Sequence, residues 1–343
     1  MSPARVNFEL TGRCNLSCTH CLRDKTLRAE LKPALFKKVL KELKDYGIKR
    51  VSFTGGEPLL HPHFQELAEH AAQQGFSISF VTNGILLPKF IGFLASPAIK
   101  PQLERICISL DGPDPKTHDK IRGQGSFARA MKGILAVSSR GIPFVIKFTI
   151  NAQNYKSLEP MALLAGKLGA GELQLSQLYP TPENLALGLA LPPDQWESVQ
   201  AEASRLLSLL KLGLVFSAGI FFEEAFPTCA HLAMSEYYVD SRGWLCLCCM
   251  LGGIAGRDAR AIEKDRVANL ATTRFVDAHR KLIGLIGWFN LKRLERIKQG
   301  RVSRLEHYQC LACGFHFGKL DWLADFSKSP WAQMLQAAQK ASG

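Results

Sequence analysis

The stretch Cys14-Asn-Leu-Ser-Cys18-Thr-His-Cys21 places three thiols on one short loop. It comes soon after Val6–Leu10, an apolar run that predicts a β-strand. Three thiolates on such a loop can bind three irons of a [4Fe–4S] cube and leave the fourth iron open to a small molecule. An incomplete ligand set is typical of catalytic metal sites, whereas structural sites close their coordination sphere. The alternatives are a zinc site that takes His20 as a further ligand, and ordinary cytosolic thiols.

Short β-like runs alternate with segments of helical periodicity over the first half of the chain. Six strands with intervening helices are typical of parallel βα units, so the predicted fold class is α/β. Six units favour an open, partial (β/α)6 barrel over a closed eight-fold one, with functional residues just after the strand C-termini. The predicted strands are Val6–Leu10, Arg50–Thr54, Ser77–Thr82, Arg105–Leu110, Phe144–Ile150 and Glu172–Leu178. The predicted helices between them are Pro33–Tyr46, Pro62–Gln74, Pro88–Leu94, Phe127–Ser139 and Leu158–Leu168.

The pattern changes at Tyr179-Pro-Thr-Pro182, which predicts a domain boundary. We therefore expect a partial barrel in residues 1–180 and a smaller α+β domain in residues 181–343. The second part is predicted to contain a helix from about Pro193 to Leu212, a hairpin turning at Ser241–Gly243, a long basic helix near Thr272–Gln299 and a last helix at about Leu320–Lys340.

The composition is that of an ordinary folded protein, with 47% hydrophobic and 21% charged residues among 343. The sequence shows no export signal, so its ten cysteines predict a reducing cytoplasm and metal binding rather than disulfides. No apolar stretch has the length and purity of a membrane span. The formal net charge of +13 suits an acidic partner. Nucleic acid is a weak candidate because no basic run is interleaved with aromatic residues.

A second motif, Thr54-Gly55-Gly56-Glu57-Pro58, follows the second predicted strand. The two glycines permit a close approach of the backbone to a ligand, and Glu57 can accept a hydrogen bond from an ammonium group. With the cysteine loop one βα unit earlier, the chain resembles the radical S-adenosylmethionine (SAM) superfamily over residues 5–180. The resemblance implies that an electron enters the cluster and SAM is cleaved to methionine and a 5′-deoxyadenosyl radical, which takes a hydrogen atom from the substrate. It also implies an electron donor such as flavodoxin or ferredoxin.

The same resemblance implies roles for individual residues. Cys14, Cys18 and Cys21 would bind the cluster, while the amino and carboxylate groups of SAM occupy the open iron. The residues implied in SAM binding are Gly55, Gly56, Glu57, Asn83, Ser109 and Asp111. Ser109, Asp111 and Arg122 are equally well explained as polar groups that cap loops at strand ends.

Four more cysteines, Cys229, Cys248, Cys310 and Cys313, could close around a second metal centre. Their spacing alone fits an auxiliary [4Fe–4S] cluster and a structural zinc site equally well. Attached to a radical SAM core, they resemble the auxiliary-cluster extensions called SPASM and twitch domains, which implies one auxiliary cluster. Cys246 or Cys249 could replace Cys248 as the ligand.

Cys249 is left over, because adjacent residues on a strand point to opposite sides. It can be a small buried hydrophobic residue. The layout, in which a Cys-Cys pair precedes a basic aromatic helix and a CxxC motif, also resembles radical SAM peptide epimerases. By that resemblance Cys249 would be catalytic and would donate a hydrogen atom to the substrate radical. The helix with Arg280, Trp288 and Arg293 would be either a surface for an acidic peptide or a core face with solvated charges.

The leading hypothesis is a radical SAM enzyme that modifies a ribosomally made peptide by epimerisation or crosslinking. The alternative is a small-molecule dehydrogenase or epimerase in natural-product or cofactor biosynthesis. A third hypothesis is a non-catalytic metal-binding module that binds nucleic acid.

Overall fold

The computed structural model describes residues 4–23, 25–216, 226–253 and 265–340. Within these ranges ten strands form one sheet. Numbered in chain order, they are β1 (Arg5–Thr11), β2 (Arg50–Gly55), β3 (Ser77–Thr82), β4 (Leu103–Ser109), β5 (Phe144–Ile150), β6 (Glu172–Gln177), β7 (Gly213–Phe216), β8 (Glu236–Val239), β9 (Trp244–Cys246) and β10 (Arg266–Asn269).

The α-helices of the same ranges connect and cover these strands. In chain order they are α1 (Pro33–Asp45), α2 (Phe64–Gln73), α3 (Leu87–Leu94), α4 (Pro115–Arg122), α5 (Ser126–Ser138), α6 (Leu158–Leu168), α7 (Pro182–Ala186), α8 (Pro193–Leu209), α9 (Cys249–Gly253), α10 (Phe275–Lys298), α11 (Gln309–His316) and α12 (Pro330–Lys340).

The strand order in the sheet is β10-β9-β8-β1-β2-β3-β4-β5-β6-β7. Every pair from β8 across to β7 is parallel, and only β9 and β10 are antiparallel to their neighbours in the described sheet. Parallel pairing brings the C-terminal ends of successive strands to one edge of the sheet. The loops that follow β1 to β6 therefore meet there.

Alternation along the strands separates an apolar face from a polar one. In β1, Val6, Phe8 and Leu10 are fully buried in the hydrophobic core. Aromatic side chains of the strands and covering helices contact one another edge to face, including Phe8 with Phe36 and Phe53 with Phe64. This core holds the helices on the outer face and leaves the polar side chains on the inner face.

Ion pairs tie the polar face together near the N-terminal ends of the strands. Glu104 of β4 accepts hydrogen bonds from Arg5 of β1, at 2.7 Å, and from Arg50 of β2. Arg105 pairs with Glu172 of β6 at 3.1 Å. These pairs connect strands that are not adjacent in the sheet, as expected where the inner face curves.

All six predicted parallel strands are present, with bounds within two residues of the prediction. The predicted hairpin is also present, because β8 and β9 are antiparallel and Gly243 has φ +84° in the turn. The prediction of one last helix is wrong. A short 3₁₀ segment spans Asp321–Phe326, and α12 begins only at Pro330, since proline fits the first turn of a helix but not its interior.

The prediction did not include α4, β7 or β10. The sheet also extends beyond residue 180, because β7 pairs with β6 and β8 pairs with β1. The division into domains at residue 180 stays a prediction.

One close contact holds α5 against the loop after β3. A Cβ atom on Gly133 would lie 2.0 Å from the carbonyl oxygen of Gly84, whereas one on Gly166 of α6 would have nothing within 4 Å. We expect Gly133→Ala to lower the free energy of unfolding by about 1–3 kcal/mol, because backbone must move. Gly166→Ala should be neutral or stabilising by up to about 1 kcal/mol. Anaerobic urea unfolding of both variants measures this, and equal midpoints would contradict the contact.

Candidate active site

The cysteine loop lies at the C-terminal edge of the sheet, directly after β1. Cys18 is buried, whereas Cys14 and Cys21 are exposed. The loop rests on the end of α4, because the Thr19 amide donates to the carbonyl oxygen of Ile121 at 3.0 Å. Burial raises the pKa of the Cys18 thiol to about 11, opposed by the nearby Arg122 and reinforced by the other two thiols of the loop. Thiolates in such a setting require compensating positive charge, which bound metal would supply.

The two glycines of the second motif let the loops after β1 and β2 cross at close range. A Cβ on Gly55 would lie 2.4 Å from the carbonyl oxygen of Thr11, and one on Gly56 would lie 2.2 Å from that of Arg13. The Gly56 amide donates to Thr11 and the Glu57 amide donates to Arg13, both at 2.8 Å. The glycines are therefore required by the backbone that carries the cysteines.

Glu57 links this crossing to the end of β3. Its carboxylate is fully buried and accepts hydrogen bonds from the Thr82 hydroxyl and the Asn83 amide, both at 2.8 Å. Burial raises the pKa of Glu57 to about 7, although these hydrogen bonds oppose the rise. Both oxygens thus have partners within the protein, and the expected contact of Glu57 with an ammonium group stays a prediction.

Asn83 contacts the cysteine loop directly. Its side-chain amide donates to Oδ1 of Asn15 at 2.7 Å and lies 4.0 Å from Sγ of Cys14. Its own Oδ1 accepts from the Ile85 amide at 3.0 Å, which fixes the side chain. The loop after β3 is therefore held against the first cysteine.

Asp111, after β4, is completely buried and holds two groups that face the cysteines. Its Oδ2 lies 2.5 Å from Nε of Arg122 and 3.3 Å from Nε2 of His20, while Oδ1 accepts from the Thr149 amide at 2.9 Å. Burial lowers the pKa of His20 to about 4, so the ring is neutral at pH 7. Asp111 is thus placed to orient its neighbours.

The guanidinium of Arg122 is buried beside the thiols. Burial opposes its charge, but Asp111 and the thiols of Cys18 and Cys21 outweigh this effect and raise the pKa of Arg122. Arg122 is therefore the cation available to thiolates or to a ligand carboxylate at this site. Ser109, at the end of β4, is partly buried, and its hydroxyl has no hydrogen-bond partner within the described ranges.

A third buried carboxylate ties the cysteine loop to the C-terminal half of the chain. Glu9 of β1 accepts hydrogen bonds from Arg23, just after the last cysteine of the loop, and from Tyr238 of β8. The Ser241 hydroxyl adds a third at 3.0 Å. The sequence did not indicate this network, because Tyr238 and Ser241 lie more than 200 residues from Glu9.

The later cysteines come together as one group. Burial raises the pKa of the thiols of Cys248, Cys310 and Cys313, the last to about 12, and neighbouring thiols raise each further: Cys310 and Cys313 act on Cys248, and Cys229 acts on Cys310 and Cys313. Cys310 and Cys313 lie one turn apart on α11. Cys246 lies outside this group, because the charged groups that act most strongly on its thiol are Asp240 and Asp265 and not another cysteine.

Cys249 differs from the other thiols of this group. Its Sγ lies 3.8 Å from Nε2 of His231, whose Nδ1 lies 3.0 Å from the carbonyl oxygen of Glu236. Burial raises the pKa of Cys249, but His231 outweighs burial and the net shift is downward. Lys147, on β5, also acts to lower the pKa of this thiol.

A buried cation accompanies the second cysteine group. Arg293 of α10 is only 8% exposed, and no carboxylate in the described part of the chain forms an ion pair with it. It donates to the carbonyl oxygen of Pro227 at 3.0 Å, and its charged neighbours are the thiols of Cys313 and Cys229. A negatively charged iron–sulfur centre fits this environment, because it would compensate the buried guanidinium.

Across the described residues, no set of three or more His, Cys, Asp or Glu side chains converges on a position for a single metal ion. The thiolates of a [4Fe–4S] cube bind different irons and are more widely spaced than the ligands of one zinc ion.

The basic helix has one exposed and one buried face. On α10, Phe289 and Arg293 are buried, whereas Trp288 is 47% exposed and Arg280 is also exposed. Of these four side chains, only Trp288 and Arg280 can contribute to a surface that binds a peptide. None of the described helices has the length and apolar character needed to cross a bilayer.

An open parallel α/β barrel with a three-cysteine loop after its first strand defines a class of metal-dependent enzyme folds. Residues 8–165 match the model of the radical SAM superfamily, and this part of the chain is a radical SAM domain. Members of the family bind a [4Fe–4S] cluster and SAM. The predicted radical SAM domain is thereby confirmed for these residues, and so are the cluster and SAM as its cofactors.

Curated relatives match about half of the chain. The chain is 32% identical over 203 residues to mycofactocin maturase MftC of Mycobacterium tuberculosis, covering 58% of this chain and 51% of that protein. It is 32% identical over 185 residues to AdoMet-dependent heme synthase of Methanosarcina barkeri, covering 52% of each. The chain thus spans about half the length of the curated relatives it matches.

Solved structures extend the likeness in fold. Streptococcus suis SuiB bound to its precursor peptide SuiA matches with TM-score 0.62 and 16% identity, covering 77% of this chain and 63% of that chain. Polyhistidine-tagged anSMEcpe with bound AdoMet matches with TM-score 0.64 and 14% identity, covering 99% of both chains. These likenesses confirm the predicted α/β partial-barrel fold.

The raised pKa of Glu57 predicts that the stability of the folded protein depends on pH. Because protonation favours the folded chain, the stabilisation it provides should be lost as the pH rises from about 4.5 to about 7. Glu57→Gln does not titrate, so its stability relative to the native protein should improve across this window. Anaerobic urea unfolding at a series of pH values measures the difference. Glu69→Gln, at an exposed glutamate, is the control, and the same pH trend in both variants would contradict the prediction.

Proposed function

We propose that this protein is a radical SAM enzyme that modifies a peptide. The observation that carries the proposal is the cysteine loop after β1, with Cys14, Cys18 and Cys21 beside the buried guanidinium of Arg122 in a radical SAM domain. With the cluster and SAM bound, the chemistry supplied is reductive cleavage of SAM to methionine and a 5′-deoxyadenosyl radical that abstracts a substrate hydrogen atom. The electron comes from a donor such as flavodoxin or ferredoxin, in a cytoplasm that keeps thiols reduced.

The chain's own residues bind and orient in this proposal. The crossing of Gly55 and Gly56 over the cysteine loop forms the seat for the methionine end of SAM, with Glu57, Asn83 and Ser109 around it. Asp111 orients Arg122, which offers its charge to the SAM carboxylate, and it also lies beside His20, whose ring is kept neutral by burial. Burial of these groups excludes water and strengthens each electrostatic contact.

A peptide substrate is supported by relatives on two sides. Mycofactocin maturase is similar in sequence, and SuiB, which was solved with a precursor peptide, is similar in fold. Another solved anSMEcpe structure, with TM-score 0.61 at 16% identity, contains AdoMet and a peptide. A small-molecule substrate is the second candidate, because the AdoMet-dependent heme synthase relative is equally similar in sequence.

The second cysteine group holds an auxiliary [4Fe–4S] cluster in this proposal, with Cys229, Cys248, Cys310 and Cys313 as ligands. Support comes from the mutual proximity of these thiols and from the buried guanidinium of Arg293 beside them. Residues 181–343 then form the SPASM/twitch-like part of the enzyme.

Epimerisation of an α-carbon is the sharpest form of the proposal. Loss of one hydrogen atom leaves a carbon radical, and the S–H group of Cys249 returns a hydrogen atom to the opposite face. The sulfur radical left on Cys249 then takes up one electron and one proton, supplied by the external reductant. The contact of Cys249 with the ring of His231, which no other described thiol of the group makes, supports a separate role for this residue.

Iron content tests the two-cluster proposal. Anaerobically reconstituted native protein should contain about eight irons per chain, and a Cys14→Ser/Cys18→Ser/Cys21→Ser variant about four. The variant should form no 5′-deoxyadenosine from SAM, since the cleaving centre is lost. Elemental analysis and chromatography measure both quantities. Zinc in place of iron, or undiminished cleavage by the variant, would overturn the proposal.

Deuterated water tests epimerisation. Incubation with SAM, reductant and a peptide substrate should add one solvent deuterium at an α-carbon, because the thiol hydrogen exchanges with solvent. Cys249→Ala should lose at least about 90% of this incorporation while still forming 5′-deoxyadenosine, as expected when a single donor is removed. Cys246→Ala, a buried neighbour outside the cysteine group, is the matched control. Full incorporation by the Cys249 variant would show that another group is the donor.

A further inference from the structure

Tyr179 carries a buried hydroxyl for which the described residues provide no hydrogen-bond partner. The residue follows β6 at the C-terminal edge of the sheet, and its side chain is 3% exposed. Among its neighbours are the thiols of Cys310, Cys313 and Cys248, whose negative charges, added to burial, raise the pKa of Tyr179. The hydroxyl therefore lies among three of the four cysteines proposed to bind the auxiliary cluster.

Gly314 makes room for this hydroxyl. A Cβ atom on Gly314 would lie 2.0 Å from the Tyr179 oxygen, so the hydroxyl lies over the turn of α11 that immediately follows Cys313. A glycine within a helix costs about 1 kcal/mol relative to alanine. The helix therefore carries a residue that lowers its stability at the position where the hydroxyl needs space.

A buried hydroxyl without a partner costs about 1–3 kcal/mol. The charged groups that act on it are thiols, and none of the described thiols lies within hydrogen-bonding distance of the hydroxyl. Hydrogen bonds to the sulfurs of an iron–sulfur cluster stabilise its reduced, more negative state and so raise its reduction potential. A hydroxyl in this position would therefore have both an energetic reason to be buried and an electronic effect on the centre.

We propose that the Tyr179 hydroxyl donates a hydrogen bond to a sulfur of the auxiliary cluster, either a ligand thiolate or a bridging sulfide. Tyr179 is then a positioning residue that raises the reduction potential of that cluster and connects it to the end of β6. The proposal rests on the auxiliary cluster of the proposed function, but it does not depend on which substrate the enzyme modifies.

Potentiometry tests the proposal through Tyr179→Phe. The substitution removes the hydroxyl and keeps the ring, so the variant should retain its iron content while the midpoint potential of the auxiliary cluster becomes more negative. The titration is followed by electron paramagnetic resonance in the full chain carrying serine at Cys14, Cys18 and Cys21, so that only the auxiliary cluster contributes. Tyr308→Phe is the matched control, because the Tyr308 hydroxyl is buried near α11 but lies 3.3 Å from the carbonyl oxygen of Pro193.

The Tyr308 variant should have the potential of its parent. An unchanged potential in the Tyr179 variant, with the cluster intact, would overturn the inference and leave the proposed function standing. A parent that holds no iron at all would overturn both. If the Tyr179 variant fails to load, electron–nuclear double resonance of the parent in deuterated water decides. It should show an exchangeable deuteron coupled to the reduced cluster, and its absence would overturn the inference.

Discussion

Two backbone hydrogen bonds join the loop after β1 to the loop after β2, from the amides of Gly56 and Glu57 to the carbonyls of Thr11 and Arg13. They form only because glycine at positions 55 and 56 leaves space that any side chain would fill. The carboxylate of Glu57 then extends the connection to the end of β3. Three successive strand ends are thereby fixed relative to one another, and they determine the position of the cysteine loop.

Two buried guanidinium groups each carry a positive charge that is removed from water. Arg122 lies beside the first cysteine group and Arg293 beside the second. A guanidinium removed from water needs anionic partners, and Asp111 supplies one for Arg122. Arg293 has no carboxylate partner within the described ranges, so its charge is balanced only when the thiols beside it carry negative charge. The two sites thus differ in how strongly their cations depend on the thiolates.

The sequence predicts well those features that depend on local pattern. The six parallel strands follow from alternation and apolar runs, and the cysteine loop and the Gly-Gly motif are visible as contiguous residues. Side-chain partnerships that cross the fold are not visible in the same way. Glu57 with Asn83, Glu9 with Tyr238, and Cys249 with His231 all depend on how loops meet at one edge of the sheet. Pro330 indicates locally that a helix begins there. The helical periodicity on either side of it nevertheless favours one continuous helix, so the sequence pattern does not reveal the break.

The pairing of β1 with both β2 and β8 has a consequence for biosynthesis. As the nascent chain leaves the ribosome, β1 can pair with β2 early, but its other edge waits for residues 236–239, nearly two hundred positions later. During that interval an unpaired strand edge, directly followed by the thiols of the cysteine loop, faces solvent. Exposed edges of this kind recruit other chains. The edge and the cysteine loop are therefore exposed together until β8 pairs with β1.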